Sequence, residues 1–303
     1  MTQPDSANAS PSGVTIGEQL VRSGRLTGLQ VQQIVDRQNR QQMRFGEAAI
    51  SLGLLTEAEL QSILAEQYNY PVSGGTGILS HLAIASAPFS REAEAVRQIR
   101  AGISARLAGD GSPTLAIVSP GRNEGKSYMA ASLAVAFSQA GKRTLLINGN
   151  LRESGQQGLL NARPAEHSGL STILSGRAAA VPGVSVPHFP KLNLLDAGPP
   201  PPNPSELLLE PAFQALIRAF SSQFDLFIVD TPAYGLYSDA QIIARQVDAC
   251  IAVARRDLTG VDELRDMYRH LEQTGARSFG IVYNEAPMTK TPRLRAAGRR
   301  ARN

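Results

Sequence analysis

This 303-residue sequence predicts an α/β protein: a doubly wound, mainly parallel sheet preceded by a small α-helical repeat unit. Three observations carry the prediction. From residue 113 onward, short and nearly continuous apolar runs alternate with helical periodicity, the pattern of parallel strands covered on both faces. One of those runs opens into a glycine-bearing loop that ends in Lys126-Ser127 and starts a helix. Upstream, a 24-residue pattern occurs twice with a period of 29 residues.

Composition narrows the class. Hydrophobic residues make up 42% and charged residues 18%, enough apolar mass for a sizeable core and too much for a largely disordered chain. No run of 18 apolar residues occurs, so no membrane-spanning helix is expected. Residues 1–13 are polar, lack the apolar stretch of a secretory signal and read as a flexible leader. The single cysteine, Cys250, excludes an internal disulfide and a cysteine-based zinc site, which fits a reduced cytoplasmic setting. It lies in an apolar run and reads as a small buried hydrophobe. His81, His167, His188 and His270 lack metal-ligand spacing. Residues 290–303 hold six basic residues and no acid, so the formal net charge of +4 leaves −2 on the other 289 residues. The cationic end reads as a disordered tail suited to an anionic surface or an acidic partner, with no specific nucleic-acid signal.

The repeat unit, residues 14–72, comes first. Copy one runs Thr15-Ile16-Gly17-Glu18 … Gly24-Arg25-Leu26-Thr27 … Gln38, and copy two runs Arg44-Phe45-Gly46-Glu47 … Gly53-Leu54-Leu55-Thr56 … Gln67. Apolar positions recur at helical spacing, Thr27 and Thr56 stand where N-caps belong, and the preceding glycines permit a positive φ. Each copy is a helix-turn-helix that must bury its face on its twin. Residues 73–88, with Gly74, Gly75 and Gly77, read as a linker. Ser90 then caps a helix that carries Glu94, Arg97 and Arg100, opening the larger domain, 89–289. Strands are expected at 114–119, 144–148, 192–196, 226–230, 249–254 and 280–284.

The first of these strands runs into Pro120-Gly121-Arg122-Asn123-Glu124-Gly125-Lys126-Ser127-Tyr128. Strand, glycine-bearing loop, Lys-Ser and helix is the context of a phosphate-binding loop. Backbone N–H groups and the helix N-terminus cradle phosphates, Lys126 reaches the β/γ oxygens, and Ser127 can ligate magnesium. Pro120 replaces the first glycine of the usual pattern. A second strand ends in Asp230-Thr231-Pro232, as a Walker B element would, with Asp230 reaching the metal through water. Together these residues predict a P-loop NTPase domain that takes ATP and Mg.

Residues from about 90 to 285 resemble a bacterial tyrosine kinase (BY-kinase) of the polysaccharide-biosynthesis type. The pieces that carry the resemblance are Glu94-x-x-Arg97-x-x-Arg100, the 119–127 loop, Asp230-Thr231-Pro232 and Pro201-Pro202-Asn203-Pro204-Ser205-Glu206-Leu207-Leu208. It implies a cytoplasmic ATPase that regulates chain length or export of an extracellular polysaccharide, and a membrane-embedded chain-length (co-polymerase) partner, which would hold the chain at the inner face of the membrane. It also implies a homo-oligomeric ring built through Glu94, Arg97 and Arg100, and a base contact from Asn284. Partition-type positioning ATPases are the alternative on the same fold, but they place a second lysine where this chain has Gly121. Arg255 and Arg256 end a strand near the expected nucleotide edge, while Tyr234 and Tyr237 read as ordinary loop aromatics.

Two departures bear on activity. Where the resemblance calls for D-x-D-x-R after the second strand, this chain has Asn148-Gly149-Asn150-Leu151-Arg152. Asparagine keeps the shape of aspartate but cannot take a proton. The last tyrosine is Tyr283, inside the expected final strand, so no phosphorylated tyrosine tail is expected. A weak kinase that still binds ATP is expected, with an inactive dual nucleotide sensor as the alternative.

The tandem repeat is similar to the N-terminal domain of type II secretion and pilus-assembly ATPases, in the variety that binds cyclic di-GMP. Copy length and the five-residue spacer both match. The resemblance implies that Gly17, Gly24, Gln38, Arg44, Gly46, Gly53 and Gln67 contact cyclic di-GMP. Thr15 stands where the motif has its first arginine, which removes one charge-assisted contact.

Overall fold

The computed structural model describes residues 15–57, 59–60, 63–64, 81–107, 111–153, 169–209 and 211–285. The expected leader, basic tail and Gln67 lie outside them.

In the repeat unit, helices occupy Ile16–Arg22, Gly28–Gln41 and Phe45–Ser51, and helical residues resume after Thr56. Capping explains where they start. Thr27 accepts from the Gln30 N–H at 3.3 Å while its own N–H donates to the Gln30 side chain at 2.8 Å. Thr56 and Glu59 repeat the arrangement 29 residues later. Gly24 and Gly53 take φ values of 70° and 65°, the left-handed turn that the pattern requires. Equivalent positions of both copies, Leu26 with Leu55 and Ile34 with Ile63, fill one small core.

The larger unit is a seven-stranded sheet: β1 (Thr114–Val118), β2 (Thr144–Asn148), β3 (Val184–Val186), β4 (Phe189–Leu195), β5 (Leu226–Asp230), β6 (Ala249–Arg255) and β7 (Ser278–Asn284). Its order is β3-β4-β2-β5-β1-β6-β7, parallel except for β3 against β4. Alternate residues of β1 enter different cores, Leu115 and Ile117 one and Ala116 and Val118 the other, so both faces are dry. All six expected strands are present. The added strand, β3, is a three-residue edge, too short to show alternation in sequence. Among the described residues no helix is long and apolar enough to cross a membrane.

The end of the expected linker is core instead. Ala83–Ser86 forms a helix, and Leu82, Ile84 and Ala85 are fully buried. The Ala83 N–H donates to the Tyr128 hydroxyl at 3.2 Å, and Gln139 Nε2 donates to the Ile84 carbonyl at 3.1 Å. The glycines at 74–77 dominated the sequence signal, whereas the uncharged stretch behind them is what a buried helix requires.

Candidate functional site

The site stands at the carboxyl ends of β1, β5, β2 and β6, where open parallel sheets bind ligands. After β1 the loop 119–125 closes on itself. The Gly121 N–H donates to Glu124 Oε2 at 2.7 Å, and the buried Glu124 accepts from Thr259 Oγ1 at 2.6 Å through Oε1. Arg255 donates to the Asn123 carbonyl at 2.7 Å, and Asn284 Nδ2 donates to the Glu124 carbonyl at 3.0 Å. The ends of β6 and β7 therefore brace the loop from behind. Gly125, at φ 103°, caps the helix Lys126–Gln139, and a Cβ there would meet Asn284 Nδ2 at 2.4 Å.

Lys126 lies under this loop, 8% exposed, with Nζ donating to Ser119 Oγ and the Gly121 carbonyl at 2.8 Å each. Burial pushes its ammonium below the ordinary lysine range, while Asp230, Glu124 and Glu153 pull the other way. Ser127 Oγ donates to Asp230 Oδ2 at 2.6 Å. Those two oxygens are the groups that would hold Mg, and their proximity across loop and strand fits a hard cation with oxygen ligands. A cavity of about 410 Å³ opens above them, lined by Arg122, Asn123, Gly125, Lys126, Ser127, Tyr128, Asn150, Thr231 and Arg255 among others. A loop-held lysine, a hydroxyl–carboxylate pair and a helix N-terminus around one cavity suit a polyphosphate with its metal.

Of the asparagine pair, Asn150 reaches the cavity and Asn148 does not. Asn148 is fully buried, with Nδ2 donating to Asp196 Oδ1 at 3.0 Å. Arg152, next along, pairs with the fully buried Asp239 at 2.7 Å and lies 4.3 Å from the Tyr237 ring centroid. Arg122 donates to the Tyr237 hydroxyl at 3.0 Å and pairs with Glu153 at 2.8 Å, spanning the cavity mouth. Glu153, Tyr237 and Thr259 were not among the residues expected at the site. Only Glu153 carried a signal, by directly following the Arg152 motif.

Other expected residues fall as follows. Tyr128 lines the cavity while its hydroxyl holds the helix Ala83–Ser86. On the helix Arg91–Arg106, Glu94 is turned outward and pairs with Arg97, but the Arg97 guanidinium also donates to the Pro88 carbonyl. Arg100 donates to the Ala136 carbonyl at 2.9 Å, so both arginines brace their own domain. In the repeat unit Arg44 is exposed at a helix N-cap and Gln38 is half-buried. Gly46 and Gly17 serve packing: a Cβ would meet Leu60 at 2.5 Å and Val31 at 3.0 Å respectively. Cys250 is buried, which pushes its thiol up to about 12. Among the described residues no cluster of three or more His, Cys, Asp or Glu could hold a metal.

No family model matches the chain. CapB of Staphylococcus aureus is 31% identical over 212 residues, covering 70% of this chain and 92% of CapB. The tyrosine-protein kinase CpsD of Streptococcus agalactiae is 35% identical over 180 residues, covering 59% of this chain and 77% of CpsD. Among solved structures, the chimerical protein CapA2B2 superposes with a TM-score of 0.63 at 30% identity, over 75% of this chain and 99% of that one. The kinase domain of the Escherichia coli tyrosine kinase ETK gives 0.62 at 27% identity, over 69% of this chain and 83% of that one.

Proposed function

The chain belongs to the bacterial tyrosine-protein kinases, and we propose that it serves in that family as a nucleotide-dependent switch that binds ATP with Mg and transfers phosphate weakly. The observation that carries this is Lys126 and the Ser127–Asp230 pair around one cavity, beside a turn in which positions 148 and 150 are both asparagine rather than aspartate. Lys126 trades its bonds to Ser119 and Gly121 for β/γ oxygens, and the N–H groups that start the helix Lys126–Gln139 face the phosphates. Ser127 and Asp230 would hold the metal. Bound Mg·ATP would supply the γ-phosphorus as electrophile, with ADP as the leaving group. Asn150 can orient a hydroxyl but cannot accept its proton, a loss of roughly 10²–10⁴-fold where general-base catalysis applies. The same pair of asparagines supports the second reading, an inactive sensor. Isothermal titration of the full chain with ATP tests the binding claim: affinity that depends on Mg in wild type and loses that dependence in Ser127→Ala is expected, and binding indifferent to Mg would refute it.

The wider role follows the family resemblance: control of extracellular polysaccharide chain length or export, from the inner face of the membrane, through a chain-length partner and a homo-oligomer joined by the helix Arg91–Arg106. Within the repeat unit we propose cyclic di-GMP as ligand. Matching copy length and spacer support it, as do exposed Arg44 and the open turns at Gly24 and Gly53. Titration with cyclic di-GMP is expected to give saturable heat in the wild type and at least about tenfold weaker binding in Arg44→Ala. No heat at high micromolar ligand would sink the idea.

A further inference from the structure

The buried contact between Asn148 and Asp196 joins the ends of β2 and β4, and we infer that Asp196 is a positioning residue that makes asparagine, not aspartate, the working side chain at position 148. Asn148 is fully buried and Asp196 is 3% exposed, with Nδ2 and Oδ1 3.0 Å apart. A carboxylate can only accept, so it fixes the amide with its NH₂ toward Asp196. The amide oxygen then faces the other way and accepts the Asn150 N–H at 3.2 Å. Asn150 repeats the motion, its Oδ1 accepting the Arg152 N–H at 3.3 Å, and Arg152 docks on buried Asp239. One oriented amide thus sets the turn that carries Asn150 and Glu153 to the cavity wall.

Aspartate at 148 would break this order twice. It has no N–H for Asp196, and it would set two carboxylates 3.0 Å apart out of reach of water. The carboxyl group missing from 148 stands one strand farther from the phosphate loop, just past the end of β4 rather than at the end of β2. Restoring the aspartate alone therefore does not recreate a charged turn; it creates a buried carboxyl pair that must take up a proton to coexist.

A double-mutant cycle on the full chain tests this, reading the unfolding midpoint and the affinity for a fluorescent ATP analogue with Mg. Asn148→Asp is expected to lower the midpoint by roughly 5 °C or more and to weaken nucleotide binding several-fold. The double variant Asn148→Asp with Asp196→Asn rebuilds the amide–carboxylate pair in reverse and is expected to recover most of both losses. Asp196→Asn alone, which leaves two amides able to bond, loses less than Asn148→Asp. Buried side chains with no orienting relation would give losses that add. An Asn148→Asp protein equal to wild type, or a double variant no better than Asn148→Asp, overturns the inference. If Asn148→Asp fails to fold, a soluble double variant supports it and an insoluble one refutes it.

Discussion

Replacing Lys126 with alanine is expected to weaken ATP affinity by at least about a hundredfold while leaving the unfolding midpoint of the ligand-free chain within about 3 °C of wild type. The two effects separate because the lysine is held for a ligand at some cost to the apo fold. Its ammonium is nearly buried, with burial pushing it below the usual lysine range, and its bonds go to one hydroxyl and one carbonyl. Removing it forfeits those two bonds but relieves a desolvated cation, so the balance in the absence of nucleotide is near zero. With nucleotide the balance changes, because a charge that met phosphate oxygens has gone. Wild type should gain about 2.7 kcal/mol of stability at ligand concentrations 100 times Kd, and the variant should gain almost none. Thermal unfolding with and without Mg·ATP, set beside isothermal titration, reads both quantities. A variant that keeps Mg·ATP affinity within about tenfold of wild type would remove Lys126 from the phosphate site.

How far the sequence reaches is clear from particular residues. Buried parallel strands announce themselves because both faces need apolar side chains, and β2 and β5 take the expected bounds 144–148 and 226–230. The phosphate loop was legible because its chemistry demands a fixed order of strand, glycine, lysine and helix. The bracing of that loop was not. Thr259 bonds Glu124 across 135 residues of chain, and Asn148 meets Asp196 across 48, pairings that only strand order creates. Glycines divided the same way. Gly24 and Gly53 were readable from their turns, whereas Gly17 and Gly46, expected at a ligand, make room for Val31 and Leu60. Arg97 and Arg100 show the limit of helical spacing, which puts two residues on one side of a helix without saying whose carbonyl they reach.

Gly149→Ala is expected to lower the unfolding midpoint by about 5–10 °C and to weaken Mg-dependent nucleotide binding, although the residue contributes no side chain to the site. Asn148 and Asp230 are register partners at the ends of β2 and β5, and the Gly149 N–H donates to the Asp230 carbonyl at 2.8 Å just beyond them. A Cβ would stand 2.8 Å from that same carbonyl oxygen, 2.9 Å from Ile243 Cδ1 and 3.0 Å from Val229 Cγ1. A side-chain methyl can turn aside, but a backbone oxygen moves only with its strand. The strain therefore passes to Asp230, whose carboxylate holds Ser127 at 2.6 Å, and to the turn bearing Asn148 and Asn150. Gly176→Ala is the informative control: its φ of 70° penalises a side chain by about 1 kcal/mol, but nothing lies within 4 Å. It should cost a few degrees and leave the ratio of affinities with and without Mg unchanged. Gly149→Ala should lower that ratio, because the displaced group is the metal-side carboxylate itself. Equal ratios in the two variants would mean that the β2 turn and the Walker B carboxylate move independently.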